Sequence, residues 1–310
     1  FTHKAAKFLE IKDRNYKQWV FRYTFLELEK DLGEFGDITT QFVLEKNETV
    51  AGVITAKEDG VLAGIDEIKY FLMDADPNFR QKVKGEFKID FKAKDGQKVK
   101  AGDVIMEISA NSHDLLAVER VVLNLLMRMS GVATFTRKIV DLVADIGVLI
   151  TPTRKTLWGL VDKKAVTVGG GGTHRLNLSD AILVKDNHLK LLNNNFAELF
   201  KKLASLEVST RFCEVEVESL EDAMKCAEMS AKYPVKSVFA IMLDNMSAED
   251  VKKTVDIIKD KGFYDNILLE ASGGITEKNV LDYAKTGIDI ISMGCLTSGA
   301  RSLDLGMEIK

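Results

Sequence analysis

The sequence predicts an α/β fold with two parts, an antiparallel N-terminal region and a parallel α/β sheet or barrel. Three observations predict it. From about residue 147 onward, short apolar runs alternate with amphipathic segments in the strand–helix–strand rhythm of a parallel sheet. Between 48 and 108 the pattern is period-two alternation broken by Asp-Gly and Ala-Gly turns, as in antiparallel hairpins. Only three prolines and no low-complexity linker occur in 310 residues, so any domains are expected to be packed together rather than strung out.

Residues 5–32 read as helical, with Phe8, Leu9, Trp19, Val20, Phe25 and Leu28 spaced among charges. Gly33–Thr39 breaks that pattern and reads as a loop. Val50–Ala56 is a short apolar run. Phe87, Ile89 and Phe91 alternate with Lys88 and Asp90, and Val104–Ile108 is a further strand. Residues 115–146 return to helical spacing through Leu116, Val121, Leu125, Met129, Ile139 and Leu142. Six strands are then expected at Val148–Thr151, Ala181–Lys185, Cys213–Val217, Val238–Leu243, Ile267–Glu270 and Ile288–Ser292. Helices are expected over 195–205, 219–231, 247–260 and 276–286. Polar groups fall at or just past the C-terminal ends of these strands: Lys185–His188, Glu216, Asp244-Asn245, Ser272–Gly274 and Ser292–Gly294. In α/β barrels that rim is where active sites are built.

Composition excludes several classes. A net charge of −4 argues against nucleic-acid or anionic-membrane partners, which need a basic surface. No apolar run approaches the roughly 20 residues of a membrane helix, and no secretory signal opens the chain. Cys213, Cys226 and Cys295 have neither zinc nor disulfide-framework spacing, so a reducing cytoplasm is the expected compartment.

Against that acidic background one span is basic. Residues 154–188 hold Arg154, Lys155, His174, Arg175, Lys185 and His188 beside the glycine run Gly169–Gly172. Arg binds carboxylate or phosphate bidentately, and Lys acts as a mobile point charge. Taken alone, Arg154-Lys155 reads equally well as a solvated pair, and the glycine run as a flexible turn. Together they point to a pocket for small anions, with the glycines as an anion-lining loop. The run matches neither a P-loop nor a dinucleotide fingerprint.

Glu214, Glu216 and Glu218 share one face by alternation, although Val215 and Val217 between them suit a strand buried on both sides. Glu216 and Asp244 on neighbouring strands are candidate ligands for Mg²⁺, which takes one or two carboxylates plus substrate phosphates. Ser272-Gly273-Gly274, with Ser292 and Gly294 on the next strand, resembles a phosphate cradle.

These residues also carry a family likeness. Gly36–Thr39, Asp59–Gly64, Glu119–Asn124, Ser130–Thr134, Thr153–Thr156, Gly170–Arg175, Leu183–His188, Glu214–Glu216, Met242–Asn245, Leu269–Gly274 and Ile291–Gly294 resemble, in order, the motifs of quinolinate phosphoribosyltransferases, the carboxylating nicotinate-nucleotide pyrophosphorylases. The resemblance implies an N-terminal α/β open sandwich, residues 1–117 joined by 297–310, packed on an incomplete parallel α/β barrel of residues 118–296. It implies transfer of phosphoribosyl from phosphoribosyl pyrophosphate to quinolinate with decarboxylation, Mg²⁺ as cofactor, and a homodimer or a hexamer built from dimers. Arg154, His174, Arg175 and Lys185 would surround the quinolinate carboxylates, with Arg120 reaching across a subunit interface. Lys155 would stand beside the reacting centre or the phosphates, and Glu216 and Asp244 would face the ribose and metal. Ser272, Gly273, Gly274, Ser292 and Gly294 would hold the 5′-phosphate.

The chain departs from the family's frequent pattern at Leu157-Trp158, Val161, Met127 and Ser298, which bears on substrate preference more than on reaction class. Two other readings are set beside this one. The first is a related phosphoribosyltransferase acting on another pyridine or aromatic acid. The second is a lipoyl- or biotinyl-like carrier, from the hairpin pattern of Lys94–Asp103. That stretch lacks an attachment-lysine signal.

Overall fold

The apolar runs after residue 147 form one parallel sheet in the computed structural model, which describes residues 2–73, 83, 85–207 and 210–310. The chain divides into two units, one of 1–5, 138–156 and 171–299, the other of 6–137, 157–170 and 300–310.

The first unit carries β6 (Leu149–Pro152), β7 (Ile182–Val184), β8 (Phe212–Val217), β9 (Val238–Asp244), β10 (Leu268–Ser272) and β11 (Ile290–Met293). Their order is β6-β11-β10-β9-β8-β7, every pair parallel. Among the described residues the edge strands β6 and β7 have one partner each, so the array is open, as in the incomplete barrel expected. All six residues of β8 are buried, as a parallel strand covered on both faces requires.

The helices between strands announce their starts. Asn195 accepts from the Glu198 N–H ahead of α7 (Phe196–Ala204), Ser219 from Asp222 ahead of α8 (Leu220–Lys232), and Ser247 from Asp250 ahead of α9 (Ala248–Asp260). In α7 the buried residues are Phe196, Leu199, Phe200 and Leu203, a single stripe at helical spacing. The helix expected over 276–286 is shorter, α10 (Val280–Ala284).

The second unit carries α1 (Arg14–Leu32), α2 (Ile38–Val43), α3 (Ile65–Met73), α4 (Ser112–Leu142, as far as residue 137) and α5 (Leu160–Val168). It also carries an antiparallel sheet of order β12-β1-β5-β3, from β1 (Thr49–Ala56), β3 (Lys88–Phe91), β5 (Val104–Asn111) and the C-terminal β12 (Leu305–Ile309). A small ladder joins β2 (Gly60–Val61) to β4 (Lys98–Val99), so the Lys94–Asp103 stretch is part of this framework. Ser130 and Thr134 on α4 donate to and accept from the backbone at Ala63 and Val61, tying the β2 segment to that helix.

Two expectations need correction. The helix expected over 5–32 is broken: a 3₁₀ turn covers Thr2–Phe8, and α1 starts afresh after Asp13. Asp13 accepts the Asn15 and Tyr16 N–H groups, an N-cap that cannot sit inside a continuous helix. In addition, α3 lies inside the region read as strands and turns. Its first N–H, at Ile65, is capped by Asp95, thirty residues on, so the capping side chain is not local. The expected loop at Gly33–Thr39 ends in a cap of its own, where Asp37 accepts the Thr40 N–H and opens α2.

Candidate active site

Because the strands of the first unit are parallel, their C-terminal ends lie along one edge, and the chain leaves each of them with a polar group. After β6 come Thr153, Arg154 and Lys155, the last two exposed. The Lys155 N–H donates to Thr153 Oγ1 at 3.1 Å, and its carbonyl accepts from Thr297 Oγ1 at 2.8 Å. Gly294 sits behind the same residue: a methyl there would stand 3.7 Å from Lys155 Cδ and 3.5 Å from Thr153 Oγ1. Lys155 and Gly294, 139 residues apart in sequence, thus share one corner.

The glycine run does not line an anion site as expected. Gly169 N–H donates to Ala165, Gly170 N–H to Thr167 and Gly172 N–H to Ile150, so three of its four donors are already used. The run ends α5 and returns the chain against β6. Gly170, at φ +97°, also leaves room for the Arg137 guanidinium, which a side chain there would meet at 2.8 Å.

The run delivers His174 and Arg175 into the barrel unit. His174 is a non-glycine residue at φ +50°. Its carbonyl accepts from Thr173 Oγ1 at 2.9 Å and Arg211 Nη2 at 3.0 Å, which hold the turn. Its Nε2 lies 3.2 Å from both Glu214 Oε2 and Glu270 Oε1. Its Nδ1 accepts the Arg175 N–H at 2.6 Å. Nδ1 is therefore engaged by the Arg175 N–H, while Nε2 faces the two carboxylates at ion-pair distance, and neither Glu214 Oε2 nor Glu270 Oε1 makes a hydrogen bond among the described residues. Burial disfavours a proton on this ring, while the Glu270 and Glu214 carboxylates favour it more strongly. In this geometry Nδ1 serves as the acceptor of the Arg175 N–H, and Nε2 is the nitrogen turned toward the carboxylates that favour the proton. Burial, reinforced by the charge of Glu270, raises the Glu214 carboxyl to about 7.

Arg175 is 6 % exposed, and its Nε has no hydrogen-bond partner among the described residues. Burial and then the nearby Arg154 charge push its pKa below the usual arginine value, against the pull of Glu214, Glu216 and Asp180. Two guanidiniums that repel each other, one with a donor unspent, are complementary to an anion. Lys185 joins them through an ion pair of its Nζ with Glu216 Oε2. Arg175 thus lies within electrostatic reach of Arg154 and of Glu216, and Glu216 is the partner of Lys185. His188 lies outside this group: it is exposed and its Nδ1 accepts the Lys185 N–H at 2.9 Å, capping α6 (Asp186–Leu191). Asp180 ties the loop after Arg175 by accepting from Leu176 N–H and Arg211 Nε.

Glu214 and Glu216 are both buried in β8, whereas Glu218, past the strand end, is exposed. Asp244 ends β9 half-buried and accepts from Asn245 Nδ2 at 2.7 Å. Next to it Asn245 N–H donates to the Ser272 carbonyl at 2.9 Å. Gly273, at φ +85°, allows this approach: a Cβ would stand 2.3 Å from Asn245 Oδ1. Gly274, at φ +63°, faces open space. Ser272 and these glycines thus form a turn at the rim next to Asp244. Ser292 differs from its expected place on an accessible cradle. It lies within β11, 2 % exposed, and its Oγ has no hydrogen-bond partner among the described residues. Arg120 is exposed on α4 of the other unit.

The sequence reading assigned no role to Glu270 or Asp162. Asp162, on α5, accepts from Arg128 Nε and Nη2, both at 2.9 Å, and from the Leu157 and Trp158 N–H groups at 2.9 and 3.0 Å. It therefore holds the segment directly following Lys155. Trp158 packs on Tyr23 with ring centroids 4.2 Å apart. Thus Trp158, at one of the positions that depart from the family pattern, serves as a packing residue.

Comparison with known proteins gives a consistent picture. Residues 37–130 match the family model of the quinolinate phosphoribosyl transferase N-terminal domain, and residues 132–308 match that of the C-terminal domain. The chain is 36% identical over 286 residues to a probable nicotinate-nucleotide pyrophosphorylase [carboxylating] of Methanothermobacter thermautotrophicus, covering 90% of this chain and 95% of that one. It is 37% identical over 287 residues to the nicotinate-nucleotide pyrophosphorylase [carboxylating] of Mycobacterium leprae, covering 91% and 94%. Among solved structures, the nicotinate-nucleotide pyrophosphorylase from Francisella tularensis superposes with a TM-score of 0.80 at 31% identity, covering 94% of this chain and 96% of that one.

Proposed function

The chain belongs to the quinolinate phosphoribosyltransferase family, and on that premise we propose that it joins quinolinate to phosphoribosyl pyrophosphate with loss of CO₂, giving nicotinate mononucleotide and pyrophosphate. It is a pentosyltransferase of de novo NAD biosynthesis. The observation that carries the site assignment is the buried Arg175 with an unspent Nε–H, beside Arg154 and Lys185. Such a group receives the pyridine dicarboxylate. Charge sets the scale: a carboxylate and a phosphate held ~4 Å apart repel by about 4 kcal/mol at an effective dielectric of about 20. Fixed cations reverse that repulsion and orient the two substrates for reaction.

Arg154, Arg175 and Lys185 bind the carboxylates directly, and His174 supports Arg175. Lys155 stands beside the phosphates, and Glu216 and Asp244 face the ribose, where negative charge favours the cationic sugar as pyrophosphate departs. The pyridine nitrogen attacks that sugar carbon. Once it is quaternised, its positive charge stabilises the electron pair left on the neighbouring ring carbon when the 2-carboxylate leaves as CO₂, and that carbon then takes a proton from water. Ser272, Gly273, Gly274 and Gly294 line the 5′-phosphate end, and Arg120 completes the quinolinate pocket of a neighbouring subunit.

The donor set suits Mg²⁺ at Glu216 and Asp244, two carboxylates at neighbouring strand ends, because this ion takes few protein oxygens and completes its shell from phosphates and water. The group of His174, Glu214 and Glu270 is less suited, being buried and including an imidazole. When bound, Mg²⁺ supplies charge neutralisation to the pyrophosphate. Exposed Phe35, Ile38, Phe42 and Val43 in the 6–137 segment support a homo-oligomer, a dimer or a hexamer of dimers. Three unpaired cysteines support a cytoplasmic setting, and among the described residues no helix is long and apolar enough to cross a membrane.

The test is release of CO₂ and pyrophosphate dependent on quinolinate, phosphoribosyl pyrophosphate and Mg²⁺, with nicotinate run in parallel. Turnover of nicotinate but not quinolinate would move the protein to the related-enzyme reading. Full activity after complete chelation would remove the metal from the scheme.

A further inference from the structure

His174 is gripped from both sides. On one side the carboxylates of Glu214 on β8 and Glu270 on β10, each 1 % exposed, approach the same ring nitrogen at 3.2 Å. On the other, Nδ1 accepts the backbone N–H of Arg175 at 2.6 Å. An imidazole accepts at one nitrogen only while the proton sits on the other. Two carboxylates facing Nε2 at ion-pair distance favour a proton on that nitrogen over one on Nδ1, which keeps the Nδ1 lone pair for Arg175. The Phe212 ring stands edge-on to the imidazole with ring centroids 5.5 Å apart. The strand between the two acids offers only Ala240 and Met242 at the paired positions, so no other charged group of β9 competes for them.

We propose that Glu214 and Glu270 are positioning residues, which lock the His174 ring in one tautomer and through it set the backbone, and hence the guanidinium, of Arg175 for an acidic substrate. Neither acid touches substrate. Their effect is transmitted along a chain of four groups: carboxylate pair, Nε2–H, Nδ1, Arg175 N–H. The arrangement explains why two acids are buried next to a pocket for a dianion: their charge faces the imidazole and not the substrate. The proposal rests on Arg175 being a quinolinate-binding residue.

The test uses the intact protein. Glutamine retains an acceptor for Nε2–H and alanine does not. Glu270→Gln is expected to stay within about threefold of the parent in quinolinate KM. Glu270→Ala is expected to raise that KM about tenfold or more, with kcat and the phosphoribosyl pyrophosphate KM changed by less than about threefold. Equal loss in both KM values, or no loss in a folded Glu270→Ala, overturns the proposal. An independent readout is the ¹⁵N spectrum of histidine-labelled parent protein, with His174 assigned from a His174→Gln spectrum. Nδ1 is expected to be unprotonated and Nε2 protonated at neutral pH, and a proton on Nδ1 overturns the proposal even if the alanine variant fails to fold. The two readings separate: an Arg175→Ala variant with unchanged quinolinate KM defeats the pocket assignment, whereas the histidine spectrum reports on the clamp alone.

Discussion

Replacing Asp162 by alanine should destabilise the protein more than any exposed substitution, and the structure gives the scale. The carboxylate is fully buried and the partner Arg128 side chain is 7% exposed. Four donors converge on it, two from the guanidinium and two from the backbone at Leu157 and Trp158. Deleting one member of a buried pair strands the other charge, which costs about 3–5 kcal/mol. The two backbone N–H groups lie in a part-buried segment that water reaches, so they add little. For a domain of this size each kcal/mol lowers Tm by about 2–4 °C, giving an expected fall of about 6–20 °C. Thermal unfolding followed by circular dichroism measures it. Trp158 and Trp19 are the only tryptophans, so release of the 157–158 segment from Tyr23 should also change the emission spectrum. An Arg128→Met, Asp162→Leu double variant should recover most of the loss, since an apolar pair removes both charges together. A fall below about 3 °C for the single variant, with unaltered emission, would refute the reasoning.

Three other outcomes are expected. Arg175→Ala should raise the quinolinate KM about 30-fold or more, the effect of losing at least about 2 kcal/mol of buried charge pairing, and leave the phosphoribosyl pyrophosphate KM nearly unchanged. Steady-state kinetics with each substrate varied would show whether the effect is confined to one. Gly131→Ala, in the middle of α4, should destabilise by about 1–3 kcal/mol instead of giving the usual helical gain from alanine, because its Cβ would stand 2.0 Å from the Arg301 carbonyl. Equal or higher denaturation midpoints would contradict that packing. Glu67 is buried and its carboxyl is raised to about 7, first by burial and then by Asp95. Its folded form therefore binds a proton more tightly than its unfolded form. Its cost to stability is absent below the unfolded value near 4.5, grows as pH rises, and is complete above about 7. Glu67→Gln should accordingly raise stability by on the order of 1–3 kcal/mol at pH 8, with the difference vanishing near pH 4.5. Denaturant titrations at both pH values would decide, and a difference of the same size at each would count against it.

The set of strands and the sign of the site's charge were legible in the chain alone. Apolar runs such as Phe212–Val217 and Val238–Asp244 have nowhere to go but a covered sheet, so their place was legible from composition and length. Their polar ends, Glu216, Asp244 and Ser272, follow because parallel strands share one edge. The basic cluster of Arg154, Lys155, Arg175 and Lys185 stands out against an acidic chain. How those charges are used emerges with folding. The glycine run spends its N–H groups on Ala165, Thr167 and Ile150 and not on an anion. His174 turns toward Glu214 and Glu270, which a strand's period-two pattern puts on a face without saying what that face meets. The start of α3 depends on Asp95, and the segment after Lys155 depends on a carboxylate clamped by Arg128, 34 residues away. Local pattern reports the free energy of burying a side chain, which is nearly independent of its partner. Hydrogen bonds and ion pairs depend on distance and angle between groups far apart in the chain, and those exist only once the chain has folded.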